Sequence, residues 1–374
     1  MIKARMFQAS GFGFNIVTRV DWLDCFGFRD SDFEFFNMET DWRNSAKFAF
    51  GENMHREYRA PWWLPGGHLQ TLYAYFLKRE THVCLRRERW ETPDNDFIDL
   101  DWLDSSDGSA NLLVLFHGLE GCSSSHYAQS LMNYAGRRSW RGVISHFRGC
   151  SGEHNRLVRA YHSGDSSEID WILRRLKKNN PGAKIHAVGV SLGGNVLLKW
   201  LGEQGDRALE IIEKAAAVSA PIDLAAAAGV LDRGCRKLIY TRYFLKTLKQ
   251  KSLYKIAKHQ LKIDLRRVRA ASTFRQLDDL FTAPVHGFDS AEDYWAKSSS
   301  KRRLAHIRVP TLLLNARNDP FLPAAALPDS REVSPCVVLE YPESGGHVGF
   351  VSGRFPGDLD WLSQRIFSFF SAGE

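Results

Sequence analysis

The sequence of 374 residues is poor in the features that mark exported proteins, disulfide scaffolds and membrane spans. Its six cysteines include no C-x-x-C pair and have no metal-ligand spacing with the 13 histidines. The chain has no run of about 18 consecutive apolar residues, and its first residues lack the apolar core of a signal peptide. These absences predict a cytoplasmic protein with reduced thiols, no cofactor, no bound metal and no membrane-spanning segment.

The composition excludes disordered and fibrous classes, because 44% of the residues are hydrophobic and 25% are charged. The net charge of +7 is too small to suggest a dedicated nucleic-acid binder. This charge is concentrated, since the segment from Arg233 to Arg269 holds 13 Lys and Arg residues against the single acidic residue Asp264. The basic excess therefore belongs to one subregion of the chain.

Residues 1–53 differ from the rest, because ten of the 24 phenylalanines fall there without a helical or strand period. Two interpretations stay open for this leader. It is either an arm that touches a partner or a membrane, or a translated upstream stretch with synthesis starting at Met54. We place it outside the folded domain, which we expect to span residues 54–374.

The pattern of the domain is that of an α/β protein. Residues 83–91 and 97–102 read as two antiparallel strands joined by a turn. Short apolar runs at 112–116, 143–147, 185–190, 215–219 and 310–314 then alternate with helical stretches, as a parallel sheet covered on both faces requires. The alternation stops over residues 221–305, which are mostly helical. We predict a mostly parallel, doubly wound sheet with this helical cap inserted over its carboxyl edge.

A candidate nucleophile lies in Gly189-Val190-Ser191-Leu192-Gly193, a G-x-S-x-G motif between a predicted strand and a predicted helix. A sharp strand-to-helix turn lifts the serine hydroxyl above the sheet, and the flanking glycines remove clashing Cβ atoms. The alternative is a plain glycine-rich turn. The strand and helix on either side favour the nucleophile.

A serine needs a base and an acid later in the chain. Asp319 follows the strand at 310–314, and His347 stands in the glycine loop after residues 337–341. Asp329 and Asp358 are weaker candidates for the acid, because neither directly follows a strand. For the oxyanion we expect the backbone N–H groups of Leu192 and Leu119.

Several blocks resemble the YheT-like family of α/β-hydrolases, which is related to the ABHD-type esterases and lipases. They are Pro61-Trp62-Trp63-Leu64, Gly67-His68-Leu69-Gln70-Thr71, His117-Gly118-Leu119-Glu120-Gly121, Phe147-Arg148-Gly149-Cys150-Ser151-Gly152, Tyr161-His162-Ser163-Gly164, the serine motif, Thr282-Ala283-Pro284-Val285-His286-Gly287-Phe288 and Gly345-Gly346-His347-Val348-Gly349-Phe350. The resemblance implies the α/β-hydrolase fold, a triad of Ser191, Asp319 and His347, and activity on carboxylic esters. Tyr294-Trp295 departs from the Tyr-Tyr pair more usual in the family.

Other residues in these blocks have weaker assignments. His117, Gly118, Arg148, His286 and Phe288 are candidates for the substrate pocket, although Arg148 also reads as a residue that joins loops and Phe288 as part of an anchor of the cap. For His68 we favour packing at the start of a helix over metal binding, because no carboxylate cluster accompanies it.

The basic cap segment has three interpretations: a solvated helix face, a surface that docks on anionic lipid, and, least favoured, a nucleic-acid contact.

The sequence as a whole predicts a serine carboxylesterase for short- to medium-chain acyl esters. Acyl transfer or lipase and phospholipase action on lipid esters is the alternative among enzymes, and a binding protein without turnover is the alternative from another class. The pattern carries no signal for an oligomeric state.

Overall fold

A computed structural model describes residues 57–77, 83–105 and 110–372. The predicted leader at residues 1–53 lies outside the described residues. The strands are β1 Arg86–Glu91, β2 Phe97–Leu103, β3 Asn111–Phe116, β4 Arg141–Ser145, β5 Lys184–Val190, β6 Lys214–Val218, β7 Thr311–Leu314 and β8 Val337–Glu340.

These strands form an eight-stranded sheet in the order β1-β2-β4-β3-β5-β6-β7-β8. β2 pairs antiparallel with both β1 and β4, and every other neighbouring pair is parallel. The parallel strands end at the same edge of the sheet, where the loops that follow them meet. The predicted mostly parallel sheet is therefore confirmed.

Helices cover the sheet and form the cap. Outside the cap they are α1 Gly67–Phe76, α2 His126–Arg137, α3 Ser166–Asn179 and α4 Leu192–Gln204, with α12 Asp360–Ser371 at the end of the chain. Within the cap they are α5 Leu224–Leu231, α6 Gly234–Arg236, α7 Arg242–Lys258, α8 Leu265–Ala270, α9 Phe274–Leu277, α10 Ala283–His286 and α11 Ala291–Ser298. Two π-helical turns, Lys237–Thr241 and Asp278–Thr282, precede α7 and α10.

Strand β3 shows why the sheet is covered on both faces. Leu112, Val114 and Phe116 belong to one hydrophobic cluster, whereas Leu113 and Leu115 belong to another, and all five are 0% exposed. Alternate residues of a strand point to opposite faces, so each face has its own core. Burying a leucine side chain in this way stabilises a fold by about 1.5–3 kcal/mol.

The cap has a hydrophobic cluster of its own, which includes Leu245, Ile256 and Phe281. Lys255 on α7 ties the cap to the core. Its side chain is buried, and its Nζ donates to Asn155 Oδ1 and to Leu157 O at 2.6 Å each. These bonds attach the cap to the loop between β4 and α3.

His186 on β5 is a buried polar residue in an aromatic environment. Its ring centroid lies 4.8 Å from that of Trp140 and 4.9 Å from that of Phe370. Within residues 57–77, 83–105 and 110–372, neither ring nitrogen has a hydrogen-bond partner. Burial, followed by the charges of Lys214 and Lys184, lowers the pKa of His186 to about 4. The imidazole is therefore neutral at pH 7 and lacks polar contacts.

Replacing His186 with leucine is expected to raise the free energy of unfolding by about 1–2 kcal/mol at pH 7, because an unpaired polar group leaves the core. The gain should be larger at pH 5.5. In the unsubstituted protein, His186 of the unfolded chain binds a proton below its ordinary pKa of 6.5, whereas the buried ring of the folded state does not. The free energy of unfolding therefore falls as the pH is lowered from 6.5 to about 4. Urea unfolding of the native and substituted proteins at pH 7 and pH 5.5 measures the change in the free energy of unfolding. The exposed His306→Leu control should change little, and an unchanged pH dependence in His186→Leu would contradict the argument.

Candidate active site

Ser191 occupies the turn between β5 and α4. Its backbone has φ 52° and ψ −120°, in the left-handed region that non-glycine residues rarely adopt. A Cβ atom built on Gly193 would lie 2.3 Å from the carbonyl oxygen of Phe116 on the neighbouring strand β3. Only glycine allows this close approach of helix and strand, which fixes the serine at the carboxyl edge of the sheet.

Ser191, His347 and Asp319 form one chain of hydrogen bonds. His347 Nε2 lies 2.9 Å from Ser191 Oγ, and His347 Nδ1 lies 2.9 Å from Asp319 Oδ2. Asp319 and His347 stand in the loops that follow β7 and β8. Ser191 and His347 are each 9% exposed, and Asp319 is 5% exposed. Water therefore has little access to the hydrogen-bonded groups.

The two weaker acid candidates lie elsewhere. Asp329 is paired at the surface with Arg331, whose Nη2 lies 2.6 Å from Asp329 Oδ2. Asp358 Oδ1 accepts from Ser352 Oγ at 2.5 Å. Of the three carboxylates considered, Asp319 is the one that contacts His347.

A cavity of about 160 Å³ lies between cap and core and reaches Ser191. Much of its lining is apolar, with Leu119, Leu192, Leu224, Leu231, Phe244, Leu248, Phe281 and Phe321 among the contributors. Phe321 also stacks on His347, with ring centroids 3.8 Å apart and planes 11° from parallel. An apolar cavity beside the serine suits the hydrocarbon part of a substrate.

The loop predicted to supply an oxyanion donor lies against the serine. A Cβ atom built on Gly118 would be 3.2 Å from Ser191 Cβ, and both Leu119 and Leu192 border the cavity with Ser191. Leu192 is the first residue of α4, where backbone N–H groups have no partner within the helix. These two N–H groups therefore remain the candidates for an oxyanion hole.

The same loop is attached to the cap through Glu120. Glu120 Oε1 accepts from the Tyr161 hydroxyl and from Lys251 Nζ on α7, each at 2.7 Å. Glu120 itself has φ 55°. The cap lysine thus helps to fix the loop that carries Leu119.

Two of the residues predicted to belong to the pocket, His117 and Gly118, lie outside the lining of this cavity. His117 is 0% exposed; its Nδ1 lies 2.7 Å from Gly118 O, and its Nε2 accepts from the Phe147 backbone N–H at 3.1 Å. Burial, followed by the charge of His146, lowers its pKa to about 3, which keeps the ring neutral. His117 joins two loops, and Gly118 is buried beneath the serine.

Phe288 also stands outside the cavity lining. Its ring packs on His162 and Tyr294 at centroid distances of 5.7 and 5.3 Å, so it supports residues that border the cavity. Sequence position placed it at the end of the cap but could not show which way the ring points.

Arg148 and His286 both border the cavity. Arg148, however, donates to Glu168 Oε1, Asp96 Oδ2 and Asp94 Oδ1 at 2.5, 3.0 and 3.1 Å. Its guanidinium is thus held by protein carboxylates. Burial, followed by the charge of His162, lowers the pKa of His286 to about 3, so this residue presents a neutral ring.

Sequence reasoning missed the roles of Gln70 and Thr71 on α1. The expected helix start at Gly67 and His68 is present, and His68 Nδ1 lies 3.0 Å from the Tyr240 hydroxyl. Gln70 and Thr71, however, contact the loops of Asp319 and His347. The signal was the block Gly67-His68-Leu69-Gln70-Thr71 itself, which carries polar side chains at positions buried in the structure.

The sheet order, the strand-turn-serine-helix geometry and the inserted cap define the α/β-hydrolase class of fold. A family model described as alpha/beta hydrolase fold matches residues 111–353. The chain is 39% identical over 303 residues to "Putative esterase YheT" of Escherichia coli (strain K12), which covers 80% of this chain and 88% of that protein. It is 30% identical over 311 residues to phospholipase ABHD3 of Mus musculus, covering 80% and 74%.

Among solved structures, the esterase Pf2001 of Pyrococcus furiosus has the same fold, with a TM-score of 0.51 and 17% identity over 77% of this chain and 92% of that one. The chain belongs to the YheT-like group of ABHD-type alpha/beta hydrolases. It is a hydrolase of the esterase or lipase type. In the part of the chain that the structure describes, no helix is long and apolar enough to cross a membrane.

Proposed function

We propose that the protein is a serine hydrolase that cleaves carboxylic esters through an acyl-enzyme. The observation that carries this proposal is the unbroken chain from Asp319 through His347 to Ser191, with 2.9 Å at each of its two links, at the wall of an apolar cavity. A serine hydroxyl is a weak nucleophile unless such a base removes its proton.

In the proposed reaction, Ser191 Oγ attacks the ester carbonyl carbon while its proton passes to His347 Nε2. Asp319 holds the ring orientation and stabilises the imidazolium that forms. The N–H groups of Leu119 and Leu192 donate to the oxyanion of the tetrahedral intermediate. His347 then protonates the leaving alcohol, and a water molecule, activated by the same histidine, releases the carboxylic acid and regenerates Ser191.

The size of the cavity supports a short- to medium-chain acyl group. An apolar cavity of about 150 Å³ is large enough for benzene, so the cavity here, about 160 Å³ and not enclosed, has room for an acyl group of at least that size. The 30% identity to a protein named phospholipase ABHD3 makes lipid esters a second candidate substrate class. Transfer of the acyl group to another alcohol differs only in which nucleophile discharges the acyl-enzyme.

Covalent labelling tests the proposal. A fluorophosphonate should modify the native protein, and peptide mass spectrometry should locate the adduct on Ser191. Heat-denatured protein is the control and should not label, because the reaction needs His347 in place. Absence of labelling would favour a binding protein without turnover, whereas an adduct on another serine would contradict Ser191 as the nucleophile.

We also propose that the cap docks on anionic lipid, through the apolar side chains that remain exposed in and beside its basic segment. Tyr240, Leu245 and Ile256 are buried in the cap. Leu238, Tyr243 and Tyr254 stay exposed on the cap. Tyr243 contacts Tyr75, which packs on Phe76, and we define these three rings as the aromatic patch.

The aromatic patch joins α1 to the cap. The Tyr75 and Tyr243 hydroxyls lie 2.8 Å apart, and the Tyr75 and Phe76 ring centroids lie 5.2 Å apart. Arg242 and Lys246, which flank Tyr243 on α7, are exposed. Aromatic rings beside cations suit the headgroup level of an anionic bilayer.

Sedimentation with phosphatidylcholine vesicles, with and without phosphatidylglycerol, measures this contact. We expect binding to the anionic vesicles, and a loss of about tenfold when Phe76 and Leu238 are both replaced by serine, because burial of their apolar surface is removed. The matched control Leu209→Ser changes an exposed leucine outside the cap. Equal binding to neutral vesicles, or an equal loss in the control, would contradict the docking surface.

A further inference from the structure

Helix α1 contacts both loops that hold the acid and the histidine, although it precedes them by more than 240 residues. Gln70 is 1% exposed and lies between these loops. Its Oε1 accepts from Asn318 Nδ2 at 3.0 Å and from the Gly345 backbone N–H at 2.8 Å, while its Nε2 donates to Leu64 O at 3.0 Å. One amide side chain therefore fixes the residue before Asp319 relative to the loop of His347.

Thr71 holds the histidine itself. Its Oγ1 accepts from the backbone N–H of His347 at 2.8 Å and donates to Gly67 O at 2.7 Å. The donated bond fixes the orientation of the hydroxyl, so its lone pair is directed at the histidine N–H. Asn318 Oδ1 adds a link between the loops by accepting from the Gly346 backbone N–H at 2.9 Å.

Close backbone packing excludes slippage of α1 against the acid loop. A Cβ atom built on Gly67 would lie only 2.0 Å from Asn318 O. On the other side, His68 stacks on Tyr240, whose ring lies 4.8 Å from Phe321, and Phe321 stacks on His347. Helix α1 thus contacts the backbone of His347 directly and reaches the face of its ring through Tyr240 and Phe321.

We propose that Gln70 and Thr71 are positioning residues, which hold the acid and histidine loops so that both hydrogen bonds of His347 are made at once. This inference rests on the proposed function. The reason is geometric, because Asp319 and His347 stand on two separate loops and a misplacement of about 1 Å in a reacting group costs about 100-fold in rate. Helix α1 also lies outside residues 111–353, the stretch that matches the family model.

The test compares Thr71→Val, which removes the hydroxyl at nearly constant volume, with Thr71→Ser, which keeps it. For a p-nitrophenyl ester we expect Thr71→Val to lower kcat by about 10- to 100-fold with KM changed less than about threefold, because the lost contact acts on the histidine and not on the substrate. Thr71→Ser should retain kcat within about threefold. The rate of fluorophosphonate labelling should fall in parallel with kcat.

The control is Tyr73→Phe on the same helix. It removes a hydrogen bond from the Tyr73 hydroxyl to Pro356 O, which does not involve the triad loops, and should leave kcat unchanged. Thermal unfolding of every variant separates positioning from folding. The inference is overturned if Thr71→Val keeps the native kcat, or if the valine and serine variants lose kcat and stability together. A native protein that neither labels nor hydrolyses esters would overturn the serine-hydrolase proposal itself.

Should Thr71→Val fail to fold, Gln70→Glu and Gln70→Leu provide a second comparison. Glutamate keeps oxygen acceptors for Asn318 Nδ2 and the Gly345 N–H, whereas leucine removes them. A higher kcat in the glutamate variant at unchanged KM supports positioning, and equal values in the two variants overturn it.

Discussion

The Ser191→Ala variant is expected to lose hydrolysis of a p-nitrophenyl ester by about 10⁴- to 10⁶-fold in kcat, and to lose fluorophosphonate labelling altogether. The reason is that the attacking oxygen is gone, so only the oxyanion donors and substrate binding still accelerate the reaction with water. Stability should change by less than about 1 kcal/mol, since one buried hydroxyl is lost while the backbone stays as it is.

The matched control is Ser130→Ala, on α2. Ser130 Oγ lies 2.8 Å from Ser363 Oγ and has no contact with the triad, so kcat should stay within about twofold of the native value. Steady-state kinetics of both variants, together with a mass measurement after labelling, tests whether Ser191 is the nucleophile. Residual activity of Ser191→Ala close to that of the native enzyme would remove Ser191 from the nucleophile's role.

The serine turn could be predicted because its determinants are local. A strand that ends at Val190, a helix that begins at Leu192 and glycines that permit close approach are all readable within a few residues of Ser191. The positions of Asp319 and His347 followed from one further rule, that loops after parallel strands meet at one edge of the sheet. The geometry that links the three side chains agrees with this reasoning.

Side-chain direction could not be predicted in the same way. His117 and Arg148 both follow strands at the carboxyl edge, yet His117 is fully buried and bonded to the Phe147 backbone, and Arg148 points toward Glu168, Asp94 and Asp96. Which way a long polar side chain turns depends on partners distant in sequence. Position in the sheet alone carries no information about them.

The role of α1 was hidden for the same reason. Gln70 and Thr71 contact residues 248 to 276 positions away, and no local period connects them. The basic cap illustrates the converse case, because the charge excess was visible in the sequence but the burial of Tyr240, Leu245 and Ile256 depends on the packing of the cap helices. Composition showed where the basic residues lie, and tertiary packing decided which apolar residues of that segment remain exposed.

The Asp319→Asn variant should reveal the orientation of the histidine. Asp319 Oδ1 accepts from the Phe321 backbone N–H at 2.7 Å, while Oδ2 lies 2.9 Å from His347 Nδ1. An asparagine that keeps its oxygen on the Phe321 N–H must turn its NH₂ group toward Nδ1. The imidazole then carries its proton on Nε2 and cannot accept the proton of Ser191, so we expect kcat to fall by about 10⁴-fold at neutral pH.

The control for this change is Asp329→Asn, which neutralises the surface carboxylate paired with Arg331. It should alter kcat by less than about twofold, because exposed ion pairs contribute little and Asp329 is remote from His347. Kinetics on one ester with both variants, and unfolding curves to confirm that each is folded, make the comparison. If Asp329→Asn lost its activity while Asp319→Asn stayed active, the role of the acid would belong to Asp329 and not to Asp319. Equal losses in two stable variants would show that the effect is not one of tautomer selection at His347.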